Sequence, residues 1–304
     1  MRISTQNFYS GSGARLSEMQ AKAGQTMQQV ASGNKFLTPA QDPAAAVRTL
    51  EVTQSMSARE QLGKNRESVR SSLSLADSTL SSMLDNLAAM NEQAVVAGNG
   101  TLNSVNLASI ATVLQGQRDQ MVALANSTDS SGNYLFAGQR STTQPFQSDA
   151  NGVSYQGDDK PQLVQVETGR EMVIRDDGRA LFPKDGSDKD LFAQLDQTIA
   201  DLKDGSLTPT RRADSLKALG QFIDSTQQAL SGRQTAVGIH LGELDRLDDV
   251  SGARQLKSTQ ELATLQDIDY NKVLSDLSRQ QLSLQAAQKS FQMVSNLSLF
   301  NYLG

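Results

Sequence analysis

Few residues in this chain are suited to chemistry. His240 is the single histidine among 304 residues, and there is no cysteine. A zinc site or a proton relay needs several such groups, and no second histidine is present to complete one. The lack of cysteine also excludes disulfides, thiolate ligands and thiol nucleophiles. We therefore predict that His240 has an ordinary role on a helix, and that the chain uses no metal and no other cofactor.

The charged residues give no stronger signal of a site. Asp185, Asp188 and Asp190 faintly resemble a calcium loop, but they lack its spacing and its closing bidentate glutamate. They predict a solvated turn. The net charge of −5 is spread along the chain, with no basic stripe that could neutralise phosphates. We therefore expect no nucleic-acid partner.

The glycine-rich segments do not form nucleotide-binding or nucleophile motifs. Gly11-Ser12-Gly13 has Leu16 in the place of the third glycine that a dinucleotide loop requires, and no strand precedes it. A phosphate-binding loop and a Gly-x-Ser-x-Gly elbow are both absent. No apolar run approaches the ~18 residues of a membrane span. The sequence thus predicts a protein that is not an enzyme and does not insert into a membrane.

Two heptad stripes, one towards each end of the chain, dominate the remaining pattern. The first stripe consists of Val69, Leu73, Ala76, Leu80, Met83, Leu87, Met90 and Ala94. The second consists of Tyr270, Val273, Leu277, Gln280, Leu284, Ala287, Phe291 and Val294. Such stripes favour helices that pair lengthwise. The hydrophobic fraction of 38% is low, which favours thin bundles over a wide core.

Local signals predict where these helices begin and end. Asp42-Pro43 starts a long helix that Gly98-Asn99-Gly100 stops. Pro209 opens a second long helical tract. We also expect a flexible joint at Gly11-Ser12-Gly13 and a break in the second tract at Gly252.

The middle of the chain changes to a two-residue period with many turn residues. Asp149-Ala150-Asn151-Gly152 lies between two short apolar runs and predicts a hairpin, and Thr168-Gly169-Arg170 predicts another. The predicted fold is therefore mainly α with a β insert. It is a long antiparallel coiled helical rod built from both chain ends, with a small antiparallel β-domain in the middle. The predicted segments are 1–43, 44–131, 132–187, 188–274 and 275–304.

The outermost helical stretches are predicted to be incomplete on their own. Their stripes contain small or polar members such as Thr26, Gln280 and Ala287, so an isolated pair would be marginal. Segments of this kind become ordered when neighbours supply the missing surface. The predicted assembly interface consists of Phe8, Leu16, Met19, Val30, Leu277, Leu284, Phe291, Val294, Leu299 and Phe300.

Several short blocks of the sequence are distinctive. They are Met1-Arg2-Ile3-Ser4-Thr5, Ser32-Gly33-Asn34-Lys35, Thr38-Pro39-Ala40-Gln41-Asp42-Pro43, Asn99-Gly100-Thr101 and Leu297-Ser298-Leu299-Phe300-Asn301-Tyr302-Leu303. Together these blocks resemble those of the flagellin superfamily. The resemblance covers about residues 1–146 and 230–304. Within the family, Gly132-Asn133-Tyr134-Leu135-Phe136-Ala137-Gly138 is similar to the branch found at the hook–filament junction.

The chain departs from filament flagellins at one informative place. The flagellin helix that innate immune receptors recognise has two arginines just before a glutamate, whereas the aligned positions here are Ala89 and Asn91, before Glu92. This difference favours a junction protein over a bulk filament subunit.

The resemblance implies a structural role in the bacterial flagellum. Expected partners are hook-associated protein 1, flagellin, further copies of this chain in a ring, and a cytoplasmic flagellar export chaperone. The expected location is extracellular, in the flagellum, after type III export without a cleaved signal peptide. Two alternatives stay open, a flagellin filament subunit and a coiled-coil signalling rod.

Overall fold

The computed structural model describes the backbone of residues 2–149 and 152–303, and the side chains of residues 7, 9–149 and 152–294. The described residues form six α-helices and four β-strands. The helices are α1 (Arg2–Ser32), α2 (Pro43–Ala97), α3 (Ser104–Ala125), α4 (Leu191–Lys203), α5 (Pro209–Gln266) and α6 (Tyr270–Leu303). The strands are β1 (Phe146–Asp149), β2 (Gly152–Tyr155), β3 (Gln162–Glu167) and β4 (Arg170–Arg175). The predicted class, mainly α with a β region in the middle, is confirmed.

Carboxylate and amide side chains begin the helices at the residues that the sequence indicates. The Asp42 carboxylate accepts a hydrogen bond from the Ala45 amide at 2.9 Å, and Pro43 occupies the first position of α2. Asn103 and Asp190 cap α3 and α4 in the same way. Each cap gives a partner to an amide that has none inside its helix, which stabilises the helix by about 1 kcal/mol.

Two predicted interruptions of the helices are wrong. Helix α1 continues through Gly11 and Gly13, and α5 continues past Gly252 to Gln266. A glycine inside a helix costs only about 1 kcal/mol relative to alanine, and further helical hydrogen bonds and packing on either side can offset that cost. Glycines inside an otherwise helical pattern are therefore a weak signal for a break.

The middle of the chain contains two separate antiparallel hairpins. Strand β1 pairs with β2 from Phe146 opposite Tyr155 to Asp149 opposite Gly152. Strand β3 pairs with β4, and their ladder is irregular between Gln165 and Glu167. Gly169, in the turn between β3 and β4, has a positive φ of 75°, which glycine adopts without strain. The two predicted hairpins are thus confirmed.

The chain divides into two compact units. The central unit contains residues 59–251, and the terminal unit contains residues 1–58 and 252–304. In the central unit, the first heptad stripe is buried against α3, α4, α5 and the insert, with Leu80, Met83, Leu87 and Met90 at most 1% exposed. Large side chains of the insert, including Phe136 and Phe182, belong to the same core.

Three buried arginines connect the hairpins of the central unit to its helices. Arg118 on α3 donates to Ser148 of β1 and to Asp196 of α4. Arg175 of β4 pairs with Asp129, which follows α3. Arg66 on α2 donates to the Val166 carbonyl of β3 and to Asp248 of α5. Since each guanidinium is paired, its burial is compatible with a stable core.

Candidate assembly interface

The described side chains of the terminal unit form almost no core. Among its described side chains, the buried hydrophobic residues are Val52 and Ile268, and the buried polar residues are Thr26 and Ser258. Every other buried hydrophobic side chain of the described residues lies in the central unit. Because apolar burial is the main favourable term in folding, the described side chains of the terminal unit contribute little to its stability in an isolated chain.

Helices α1 and α6 pair in antiparallel fashion within the terminal unit. The ring of Tyr9, near the start of α1, meets the ring of Phe291 of α6 edge-on, with centroids 5.7 Å apart. At the other end of the pair, Asn34 forms an isolated bridge with Asp267, just before α6. The second heptad stripe faces α1, but its members are only partly buried, and Tyr270 and Val294 are exposed.

The segment between α1 and α2 is held against the end of α5. The Lys35 amide donates to the Gln266 carbonyl at 2.6 Å, and the Ile268 amide donates to the Gly33 carbonyl at 3.1 Å. Arg48, in the first turns of α2, pairs with Glu261 of α5 at 2.6 Å. These bonds therefore hold the end of α1, the start of α2 and the end of α5 together.

The structure brings several predicted interface residues together. Leu16 and Met19 of α1 and Phe291 and Val294 of α6 line one open groove of about 260 Å³. Leu277 and Leu284 of α6 and Val30 of α1 are half-buried and lie outside that groove. The side chains of Phe8, Leu299 and Phe300 lie outside the described residues. Val294 is 41% exposed, so the stripe is left open towards its end.

A second groove between α1 and α6 is polar. It has a volume of about 500 Å³ and is lined by Met19, Lys22, Asp276, Arg279, Gln280 and Ser283. The Gln280 Oε1 atom is shielded from solvent and accepts no hydrogen bond. A shielded amide oxygen without a donor costs free energy. Gln280, the polar member of the second heptad stripe, thus lacks a hydrogen-bond donor where α1 and α6 meet.

Sequence reasoning missed the apolar residues on the outer faces of the terminal unit. They lie outside the second stripe, and all are at least 58% exposed: Met27, Val47, Leu50, Leu256, Leu282 and Met293. Their signal in the sequence was a large apolar residue at a helix position that faces away from the partner helix. Each of these apolar side chains is exposed in the isolated chain and is available for contact with another subunit.

The residues that first suggested chemistry lie apart from one another. His240 lies on α5, with its Nδ1 atom 4.0 Å from the Glu243 carboxylate on the same helix. Asp185 accepts hydrogen bonds from the amides of Ser187 and Lys189 in an exposed turn, and Asp190 caps α4. The described residues contain no group of three or more acidic or imidazole side chains that could hold a metal ion. None of the helices in the described ranges is both long and apolar enough to span a membrane.

Comparison with known proteins decides the family. Residues 3–141 match the model of the bacterial flagellin N-terminal helical region. The flagellar hook-associated protein 3 of Salmonella typhimurium is 35% identical over 99% of both chains, and that of Escherichia coli is 34% identical over the same share. The chain belongs to the flagellar hook-associated protein 3 family. As a member of that family, it is a structural component of the bacterial flagellum and not an enzyme.

Solved structures support the same fold. A putative flagellar hook-associated protein from Vibrio parahaemolyticus aligns with a TM-score of 0.70 at 22% identity, over 75% of this chain and all of that one. FlgL of Xanthomonas campestris aligns with a TM-score of 0.63 at 20% identity, over 70% of this chain and 99% of that one. These two proteins thus share the fold of this chain.

Proposed function

We propose that this chain forms the junction between the flagellar hook and the flagellin filament. A ring of copies binds hook-associated protein 1 on one side and the first flagellin subunits on the other. Residues 1–43 and 275–304 are the assembly segments, and neighbouring subunits cover their apolar faces. The single observation that carries this proposal is the contrast between a well-packed central unit and a terminal unit whose described side chains form almost no core.

The same contrast supports the proposed export route. A terminal unit whose described side chains make few buried contacts unfolds at low cost, which suits the entry of a chain end into a narrow type III channel without a cleaved signal peptide. Before export, a cytoplasmic chaperone covers the apolar face of the C-terminal helix. The protein then functions outside the cell, at the base of the filament.

Gene deletion in the source bacterium tests the junction against the filament alternative. Without a junction, cells retain hooks but lose filaments and release flagellin into the medium, because exported flagellin has nothing to attach to. The gene supplied in trans restores filaments, and gold-labelled antibody then marks only their base. Label along the whole filament would instead support the flagellin alternative, and normal filaments in the deletion strain would refute both assignments.

Amide exchange on the purified monomer tests the physical basis of the proposal. In dilute solution, we expect α1 and α6 to exchange at least about 100-fold faster than α3, whose buried face belongs to the central core. Assembly into rings should slow exchange in α1 and α6 and leave α3 unchanged. Equal protection of the three helices in the monomer would show that the terminal unit is complete by itself.

A further inference from the structure

A small cavity in the central unit is not used by the proposed function. It has a volume of about 200 Å³ and lies between α2, α5 and the insert. Most of its lining is apolar, including Ala76, Leu80, Phe136, Ile174, Ala236 and Val237. An apolar cavity of ~150 Å³ in another protein stays dry and binds benzene, so this volume is sufficient for one substituted six-membered ring.

Three polar side chains complete the lining of the cavity: Asp176, Arg233 and His240. Two of them satisfy each other, because Arg233 donates to the Asp176 carboxylate at 2.5 Å. The Asp177 amide also donates to that carboxylate, at 2.8 Å. Burial raises the pKa of Asp176, and the charge of Arg233 opposes that shift. This ion pair therefore needs no further partner.

His240 is different, because its Nδ1 atom is shielded from solvent and has no hydrogen-bond partner. The Glu243 carboxylate on the same helix lies 4.0 Å from this atom, which is too far for a hydrogen bond, and Glu243 also pairs with Arg170. A shielded ring nitrogen without a partner carries a free-energy cost. His240 is part of the cavity lining, so a hydroxyl group bound in the cavity is near the imidazole ring. The hydroxyl both donates and accepts, so it suits either tautomer of the imidazole.

We propose that this cavity binds a small neutral aromatic alcohol of the size of phenol. The ring fills the apolar space between α2 and α5, and the hydroxyl bonds to His240. A charged ligand is disfavoured, because Asp176 and Arg233 already neutralise each other and the remaining lining is apolar.

Titration of the full-length monomer with phenol, followed by amide chemical shifts, tests this site. We expect saturable shifts in the segments that line the cavity, with a dissociation constant of about 1 mM or tighter. Benzene should bind at least about fivefold more weakly, because it lacks the hydroxyl. In His240→Leu, this preference for phenol should disappear while benzene still binds.

Filling the cavity provides the matched control. Ala236→Leu places a larger side chain in the space for the ring and should abolish binding of both compounds. Ala76→Leu fills the same space from α2 and replaces the first variant if that one does not fold. The proposal is overturned if phenol causes no saturable shift in the wild-type protein, or if phenol binds a folded filled variant as well as it binds wild type.

Discussion

Phe291→Asp will abolish incorporation into flagella and leave the central unit folded. Phe291 is half-buried, lies against Tyr9 and lines the open groove between α1 and α6. In the free monomer the new carboxylate can stay in water. The free energy of unfolding of the central unit should therefore change by less than about 0.5 kcal/mol. When neighbouring subunits cover the groove, the carboxylate must be desolvated without a partner, which costs several kcal/mol at each subunit.

This free-energy cost is incurred at every interface of a ring, because each interface buries the same charge. Electron microscopy of cells that express only the variant should therefore show hooks without filaments. Phe291→Leu is the matched control, because it keeps an apolar side chain at the same position and should permit assembly. Normal filaments with Phe291→Asp would contradict the proposed interface. An unfolded central unit would contradict the expectation that the central unit folds independently of α6.

The helices were predictable from sequence where period and cap agree. Asp42 and Pro43 mark the start of α2, and the heptad from Val69 to Ala94 identifies its buried face. Both are local signals, because a cap involves the residues of one helical turn, and the apolar positions of a helix face recur within two turns. The predictions at Gly11 and Gly252 failed for the same reason. They used the low helix propensity of glycine, which is a local property, and did not include the packing of the neighbouring residues.

Contacts between distant residues could not be predicted from the sequence. Arg66 and Asp248 are 182 positions apart, and Arg66 and Val166 are 100 positions apart. No periodic pattern connects such pairs, and an arginine on a helix is most often exposed. The same limit applies to the candidate interface, where the sequence indicated the stripe that faces α1 but gave no weight to Leu282 and Met293 on the outer surface.

Arg66→Met will weaken the attachment of the β3–β4 hairpin to the central unit. The Arg66 side chain is 4% exposed, and its Nε lies 2.5 Å from the Asp248 carboxylate. Its terminal nitrogen donates to the Val166 carbonyl at 3.0 Å, where the ladder of the hairpin is irregular. Methionine keeps most of the volume but removes these bonds. Because Asp248 is partly exposed, we expect a loss of about 2–3 kcal/mol in the free energy of unfolding.

Arg70→Met is the matched control for this prediction. Arg70 contacts the same Asp248 carboxylate at 2.8 Å and the Asp245 carboxylate at 2.8 Å, but its side chain is 27% exposed and donates to no strand of the hairpin. A solvent-accessible pair contributes less than about 1 kcal/mol, so this variant should unfold close to wild type. Faster amide exchange of β3 and β4 should appear in Arg66→Met and be absent in Arg70→Met. Similar exchange in both variants would show that the hairpin is held by its apolar contacts instead.

Acidification gives a second test of the same contact. Burial by itself raises the pKa of Asp248, but the hydrogen bonds from Arg66 and Arg70 outweigh burial and lower it. The pKa is thus lower in the folded chain than in the unfolded chain. The stability that this carboxylate contributes is present above about pH 4 and is lost as the pH falls through the folded value.

The difference in the free energy of unfolding between wild type and Arg66→Met should therefore be largest near pH 7 and shrink at about pH 3, as measured by urea unfolding. A difference that stays constant over this range would show that the charge of Asp248 plays no part, and that Arg66 acts through its hydrogen bond to Val166 alone.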